Sequence, residues 1–331
     1  MKQATNRIAV ALICLLLMLV FSVNGALAAT VSKVDLTKVE TEKAISGSVT
    51  YLQKQLQNSA YRGLLSWPLL GLYAAGQPET NQQELITGLS NTDYQRGIIG
   101  ALASQRDPNN YDGKQLVTAV KASQMANGKF ADTITGEGEQ LINAHVWAII
   151  SLYTAGEAIP NPEKALAWLT AQQNFDGGFS IDTTLTESDI DMTAMAVMAM
   201  ACLGQDSSYP AIEKALAYLK AQQNSDGSFG LWGSATTEAA AQVVQALIML
   251  GIDPTGEEWT KGGGNPITSM LKFRLPNGAF SHGSEMLPND MATAQALIAL
   301  IDYSTGQSIY QKLHLQNSPL NQQPLKKVDT I

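Results

Sequence analysis

Residues 164–179 read KALAWLTAQQNFDGGF and residues 214–229 read KALAYLKAQQNSDGSF, an offset of 50 without a gap. Weaker copies lie at 115–130, ending Gln124-Met125-Ala126-Asn127-Gly128-Lys129-Phe130, and at 265–280, ending Pro276-Asn277-Gly278-Ala279-Phe280. Self-similarity at a period of about fifty marks a repeat architecture, and both β-propeller blades and helix pairs repeat near that length. The filling between the copies decides for helices. Each Asp/Asn-Gly-x-Phe turn is followed by a variable loop and then an apolar, Ala-rich stretch: 141–155, 189–203, 237–250 and 290–303. Each has the length of three to four helical turns, and three stop at Gly156, Gly204 and Gly251, residues suited to a left-handed helix end.

These stretches are apolar nearly all round, as befits helices buried on both sides. The segments 162–172 and 211–222 instead gather Leu166, Trp168 and Leu169, or Leu216, Tyr218 and Leu219, on one stripe with lysines opposite, and read as outer helices. Two further pairs are predicted upstream, with outer helices near 36–56 and 80–89 and inner ones near 61–75 and 92–104. Six inner and six outer helices make an all-α, α6/α6 toroid, an α/α barrel whose inner helices line a central funnel. Closing the ring removes the need for capping end repeats.

Outside the repeats, Met1, Lys2 and Arg7 precede an apolar run from Ile8 to Val23 and the small residues Ala26-Leu27-Ala28, the pattern of a signal peptide cut near Ala28 or Ala29. The alternative is a retained anchor. The expected domains are a signal peptide at 1–29, the toroid at 34–313 and a flexible tail at 314–331. Secretion or a place in the cell envelope follows, with no stable membrane insertion once the signal is cut. Losing Lys2 and Arg7 takes the formal charge from -8 to -10, which disfavours nucleic acid as a partner. Of two cysteines, Cys14 leaves with the signal and only Cys202 stays, so no disulfide is expected.

The block Lys164, Ala165, Trp168, Leu169, Gln172, Gly177, Phe179 and its twin Lys214, Ala215, Tyr218, Leu219, Gln222, Gly227, Phe229 resemble the QW repeat of squalene and oxidosqualene cyclases, with Phe in place of the usual Trp. The resemblance covers most of 110–305. It implies a structural role, in which a Gln side chain caps the next helix and an aromatic ring stacks nearby. Taken whole, the chain looks most like exported bacterial proteins carrying prenyltransferase and squalene-cyclase repeats. That toroid also serves prenyltransferase β-subunits, corrinoid carriers and thioester domains, so fold alone does not give activity.

Each implied activity meets an incomplete motif. Asp189-Ile190-Asp191-Met192 resembles the D-x-D-D motif of class II terpene cyclases, with Met192 where its last Asp would stand. The resemblance makes Asp191 the catalytic proton donor, with Asp189 supporting it, and implies a second helical domain that this chain lacks. The plainer reading makes Ser188 or Asp189 the helix cap and Asp191 a first-turn carboxylate favoured by the helix dipole. In the repeat alignment the partners of Asp191 are Asn143 and Glu238. The Asp-x-Cys pair of zinc prenyltransferases has no counterpart, so no metal is expected. Gly136-Glu137-Gly138-Glu139-Gln140 stands where thioester domains place their reactive Cys, and Glu137 cannot form that bond.

A funnel remains, with Asn143, His145, Trp147, Asp189, Asp191, Trp232, Glu238 and His282 as candidate ligand-binding residues and no cofactor expected. The leading expectation is a non-catalytic exported module for a small hydrophobic or corrinoid-like ligand, or for a cell-surface protein partner. The alternatives are a class II terpene cyclase-like enzyme and a structural surface protein.

Overall fold

In a computed structural model of the protein, the residues described are 36–58, 64–230 and 234–318. The predicted signal peptide lies outside them. The chain divides into residues 1–42 and residues 43–331. The described part of the first unit is the opening of helix α1 (Leu36–Leu56), which continues into the second. Among the described residues no helix is long and apolar enough to cross a membrane.

Among the described residues of the second unit eleven further α-helices follow. They are α2 (Ser66–Ala74), α3 (Asn91–Ala103), α4 (Leu116–Ala122), α5 (Ile142–Thr154), α6 (Pro162–Ala171), α7 (Ile190–Cys202), α8 (Pro210–Gln222), α9 (Thr237–Met249), α10 (Pro266–Leu271), α11 (Asp290–Thr305) and α12 (Ile309–Asn317). The inner helices α2, α3, α5, α7, α9 and α11 each pack on the next, and α11 packs back on α2, which closes an α/α toroid. Their alanines let neighbours approach closely, and Ala194, Ala196, Ala199, Ala294, Ala296 and Ala299 are fully buried. No strand occurs among the described residues, only isolated bridges at the turns.

The repeated turn is the joint of the ring. Phe130, Phe179, Phe229 and Phe280 are fully buried. The glycine two residues before each Phe has a φ of 83° to 94°, a region that only glycine enters freely. There the backbone presses on the next outer element: a β-carbon at Gly177 would lie 2.6 Å from the Lys214 carbonyl oxygen. The last turn meets the first outer helix. Gly278 abuts Gly47, and the Ser48 hydroxyl donates to the Gly278 carbonyl at 3.1 Å.

The tie between repeats differs from expectation by one residue. Gln172 donates only to Trp168 O in its own helix, at 3.2 Å. Gln173 Nε2 donates to both Gly177 O and Ala211 O at 2.8 Å, joining its own turn to the first turn of α8. Gln223 does the same toward Gly227 O and Trp259 O.

Two boundaries also differ. The outer helix expected near 80–89 does not form. That segment is irregular, anchored by buried Ile86 and by Glu84, whose carboxylate accepts from the Ser66 N–H and hydroxyl. Leu85 and Leu89 are exposed, so no continuous apolar stripe is available to seat a helix there. At the other end, residues 314–317 belong to α12 rather than to a tail. His314 Nδ1 meets Tyr153 O at 2.7 Å and its ring stacks on Tyr153 at 3.9 Å, while Asn317 donates to Thr154 O. Gln311 reaches Met249 O and Tyr73 reaches Gln316. Helix α12 therefore crosses the C-terminal ends of α2, α5 and α9, and floors the ring.

Candidate functional site

Because α12 blocks the C-terminal ends, the ring is open at the N-terminal ends of its inner helices. A cavity of about 500 Å³ sits there, within the range of small-molecule sites. A helix places residues i and i+4 on one face and turns i+2 away from it. Three repeats obey this rule in the same register. Asn143 and Trp147 on α5, Asp191 and Met195 on α7, and Glu238 and Gln242 on α9 all line the cavity, each polar first-turn residue above its i+4 partner. On α11 the i+4 position, Gln295, lines it as well.

The i+2 positions face outward and have a structural task. Phe179 N–H donates to Thr193 Oγ1 at 2.9 Å, and Phe280 N–H donates to Thr293 Oγ1 at 2.8 Å. His145 is the third member of this set. Its Nδ1 accepts Phe130 N–H at 3.0 Å, so Nε2 carries the proton and donates to Ala165 O at 3.0 Å. Burial holds its pKa down to about 3, and Trp168 and Phe130 flank the ring. The expectation that His145 belongs to the funnel is therefore corrected: it is a neutral joint behind the wall.

Asn143, Trp147, Asp191, Glu238 and His282 line the main cavity. Asp189 lines an adjoining cavity of about 430 Å³, whose wall shares Asn143, Asp191 and Met195 with the first. Asp189 is also the cap of α7, accepting Met192 N–H at 2.8 Å, as the plainer sequence reading expects. Trp232 lies outside the described residues. Trp67, Met195, Gln242 and Gln295 escape the sequence reading. The i+4 spacing from Asn143, Asp191 and Glu238 could have found Met195 and Gln242, but Trp67 has no such signal.

The first-turn tier of the cavity carries the carboxyls of Asp191 and Glu238, and the tier beneath it mixes Trp147 and Met195 with the amides of Gln242 and Gln295. Trp67 and Trp147 meet edge to face at 4.9 Å, and Trp147 meets Tyr310 of α12 at 6.2 Å, an aromatic line from cavity wall to floor. Asp191 Oδ1 is buried with no hydrogen-bond partner. Burial, then the neighbouring charges of Asp189 and Glu238, raise its pKa to about 7 against a smaller opposing effect of His282. Burial likewise raises the Glu238 carboxyl, which pairs with His282 Nδ1 at 3.0 Å. Among the described residues no three His, Cys, Asp or Glu side chains gather as a metal set. A carboxyl that titrates near neutrality in a cavity that two indole rings also line can give or take a proton, or can hold a ligand's polar head.

The family model of the prenyltransferase alpha-alpha toroid domain matches residues 16–233. No curated protein matches the chain in sequence. Among solved structures, a type II terpene cyclase from Scytonema is similar with a TM-score of 0.56 at 13% identity, over 81% of this chain and 99% of that one. A variant of that cyclase holding geranylgeranyl dihydroxybenzoate as substrate is similar with a TM-score of 0.56 at 13% identity, over 82% and 99%. The Candida albicans protein geranylgeranyltransferase-I complexed with GGPP gives a TM-score of 0.55 at 14% identity, over 77% and 90%. The expectation that a class II cyclase needs a second helical domain is corrected, since this one toroid spans nearly the whole of the Scytonema chain.

Proposed function

The chain belongs to the prenyltransferase alpha-alpha toroid domain family, and on that premise we propose that its funnel receives the apolar body of an isoprenoid ligand. One observation carries the reading: a cavity of about 500 Å³ at the open end of the ring has Trp67 and Trp147 as its paired aromatic wall. Flat indole faces suit a branched, unsaturated chain that offers methyl and alkene groups but few hydrogen bonds. The neighbours that hold geranylgeranyl dihydroxybenzoate and GGPP support this ligand class. Native mass spectrometry and thermal shifts with polyprenyl compounds test it, and cobalamins run in the same series test the corrinoid alternative. A ligand present at a hundred times its Kd stabilises the fold by about 2.7 kcal/mol, which a thermal shift detects. No shift with any polyprenyl compound sinks the reading.

A second reading is a terpene cyclase-like reaction with Asp191 as acid. Its raised pKa keeps a large share of the carboxyl protonated near neutrality, and the Trp67–Trp147 pair provides π-faces for a cation. Against it, the nearest charges, Asp189 and Glu238, make Asp191 a weaker acid, and Met192 offers no side-chain hydrogen bond to strengthen it. Binding therefore ranks first. Cyclic product from squalene or a geranylgeranyl compound, abolished in Asp191→Asn, is the result that would reverse this order.

We also place the ring outside the cytoplasm, on the strength of the apolar run and the Ala26-Leu27-Ala28 ending. N-terminal sequencing of exported protein is expected to start at Ala29 or Thr30. An intact Met1 in that fraction would mean a retained anchor.

A further inference from the structure

The polar groups of the funnel have a sign. Two carboxyls, Asp191 and Glu238, face the main cavity, and Asp189 and Glu187 face the adjoining one. Among the described residues no Lys or Arg lines either, and the imidazole at the main cavity, His282, is paired with Glu238. Independently of the carboxyls, Gln242 is only 4% exposed, lines the cavity and has an Oε1 without a partner, as has Gln295. Buried polar atoms left unmatched in a cavity wall ask for a ligand group, since leaving them dry costs free energy. The two amides can present either end, so the carboxyls decide what that group is.

Helix N-termini at the mouth argue for an anion, because their unpaired N–H groups and dipoles attract negative charge. On α7, α9 and α11 the chain has already filled those positions, while α5, which lines the cavity with Asn143 and Trp147, has no side-chain cap. Asp189 caps α7, Thr236 caps α9 and Asn289 caps α11, while Asp191 and Glu238 sit in the first turns of α7 and α9. A diphosphate entering this mouth would meet three capped helices and, among the described residues, carboxyls, an imidazole already paired with Glu238 and no guanidinium or ammonium. Phosphate recognition rests on such cations. A positively charged nitrogen meets acceptors instead, in a cavity walled by indole rings.

We propose, resting on the isoprenoid reading above, that the funnel selects a ligand whose isoprenoid body carries a positively charged nitrogen head, and that it rejects prenyl diphosphates. Asp191 and Glu238 are then specificity-determining residues for the head, with Gln242 as a further acceptor.

The test is equilibrium binding of geranylgeranylamine, geranylgeraniol and geranylgeranyl diphosphate to the protein in metal-free buffer. The amine is expected to bind about tenfold or more tighter than the alcohol, and the diphosphate about tenfold or more weaker. In Asp191→Asn and in Glu238→Gln the ratio of amine to alcohol affinity is expected to shrink toward one. An amine no tighter than the alcohol, or a diphosphate that binds best, overturns the head-group assignment and leaves the isoprenoid reading standing. If both variants keep the full amine preference, general attraction to an acidic protein explains it and the assignment to these residues fails. If none of the three compounds binds, the isoprenoid reading fails and this inference fails with it.

Discussion

Asp191 on α7 and His145 on α5 hold neighbouring positions of the repeat unit, i and i+2 of an inner helix, and burial moves them in ways that pH can separate. The folded chain holds the Asp191 proton more tightly than the unfolded chain does, because its pKa rises from 3.8 to about 7. The stability tied to that proton is full below the unfolded value and is lost as pH rises through about 7. Asp191→Asn is therefore expected to be more stable than the parent above pH 7, by roughly 1–4 kcal/mol, and equal to it near pH 4. Thermal melts at several pH values check this, and a difference that ignores pH would show that burial and the charges of Asp189 and Glu238 do not hold the Asp191 proton as described. For His145 the folded pKa falls to about 3, so its effect runs the other way: stability falls as pH drops below about 6.5. His145→Leu keeps most of the volume and orphans the Phe130 N–H, a loss expected to be about 1–3 kcal/mol in a denaturant titration. Ligand binding should be unaffected by that change.

Among the elements, the repeated turn is the one whose residues are most sharply constrained. Gly177 combines a φ of 90° with backbone contact on Lys214, so Gly177→Ala adds both strain and a clash. A loss of at least about 3 kcal/mol is expected by chemical denaturation, against about 1–2 kcal/mol for Gly→Ala at exposed Gly204, which has the same kind of φ but open space. Equal losses at the two sites would show that φ alone, not the joint between repeats, sets the cost. The turn was legible in the sequence because a glycine and an aromatic recur at fixed spacing. Its tie was read one residue out, at Gln172 instead of Gln173, because adjacent glutamines are chemically identical and only their direction separates them. The segment 80–89 was misread for a related reason. A helix at 80–89 would complete the sixth pair, whereas the segment is tied down without one by the Glu84 carboxylate on Ser66 and by the Glu84 N–H, which donates to the Tyr111 hydroxyl.

For residues 43–331 as a whole, the ring depends on a floor. Tyr310 is fully buried against Trp147, and Asp302 accepts the Ile309 N–H at 2.9 Å where α12 begins. Tyr310→Ala is expected to cost about 3–5 kcal/mol, as large aromatic truncations do, and to expose Trp147 to collisional quenchers from the floor side. Unchanged quenching would mean that α12 does not close the cavity. The sequence by itself determined the all-α repeat, since a period near fifty and apolar stretches of helical length are properties of the chain that survive any small shift in packing, while the closed ring was implied by the resemblance to cyclase repeats and is made by contacts such as Gly278 on Gly47. It also brought Asn143, Asp191 and Glu238 to one alignment position. Only the tertiary structure decided which way that position faces. It turned His145 outward as a structural joint, brought Trp67 from a distant helix onto Trp147, and laid α12 across the open ends. Those outcomes depend on rotation about each helix axis and on contacts between residues far apart in sequence, which a linear pattern does not encode.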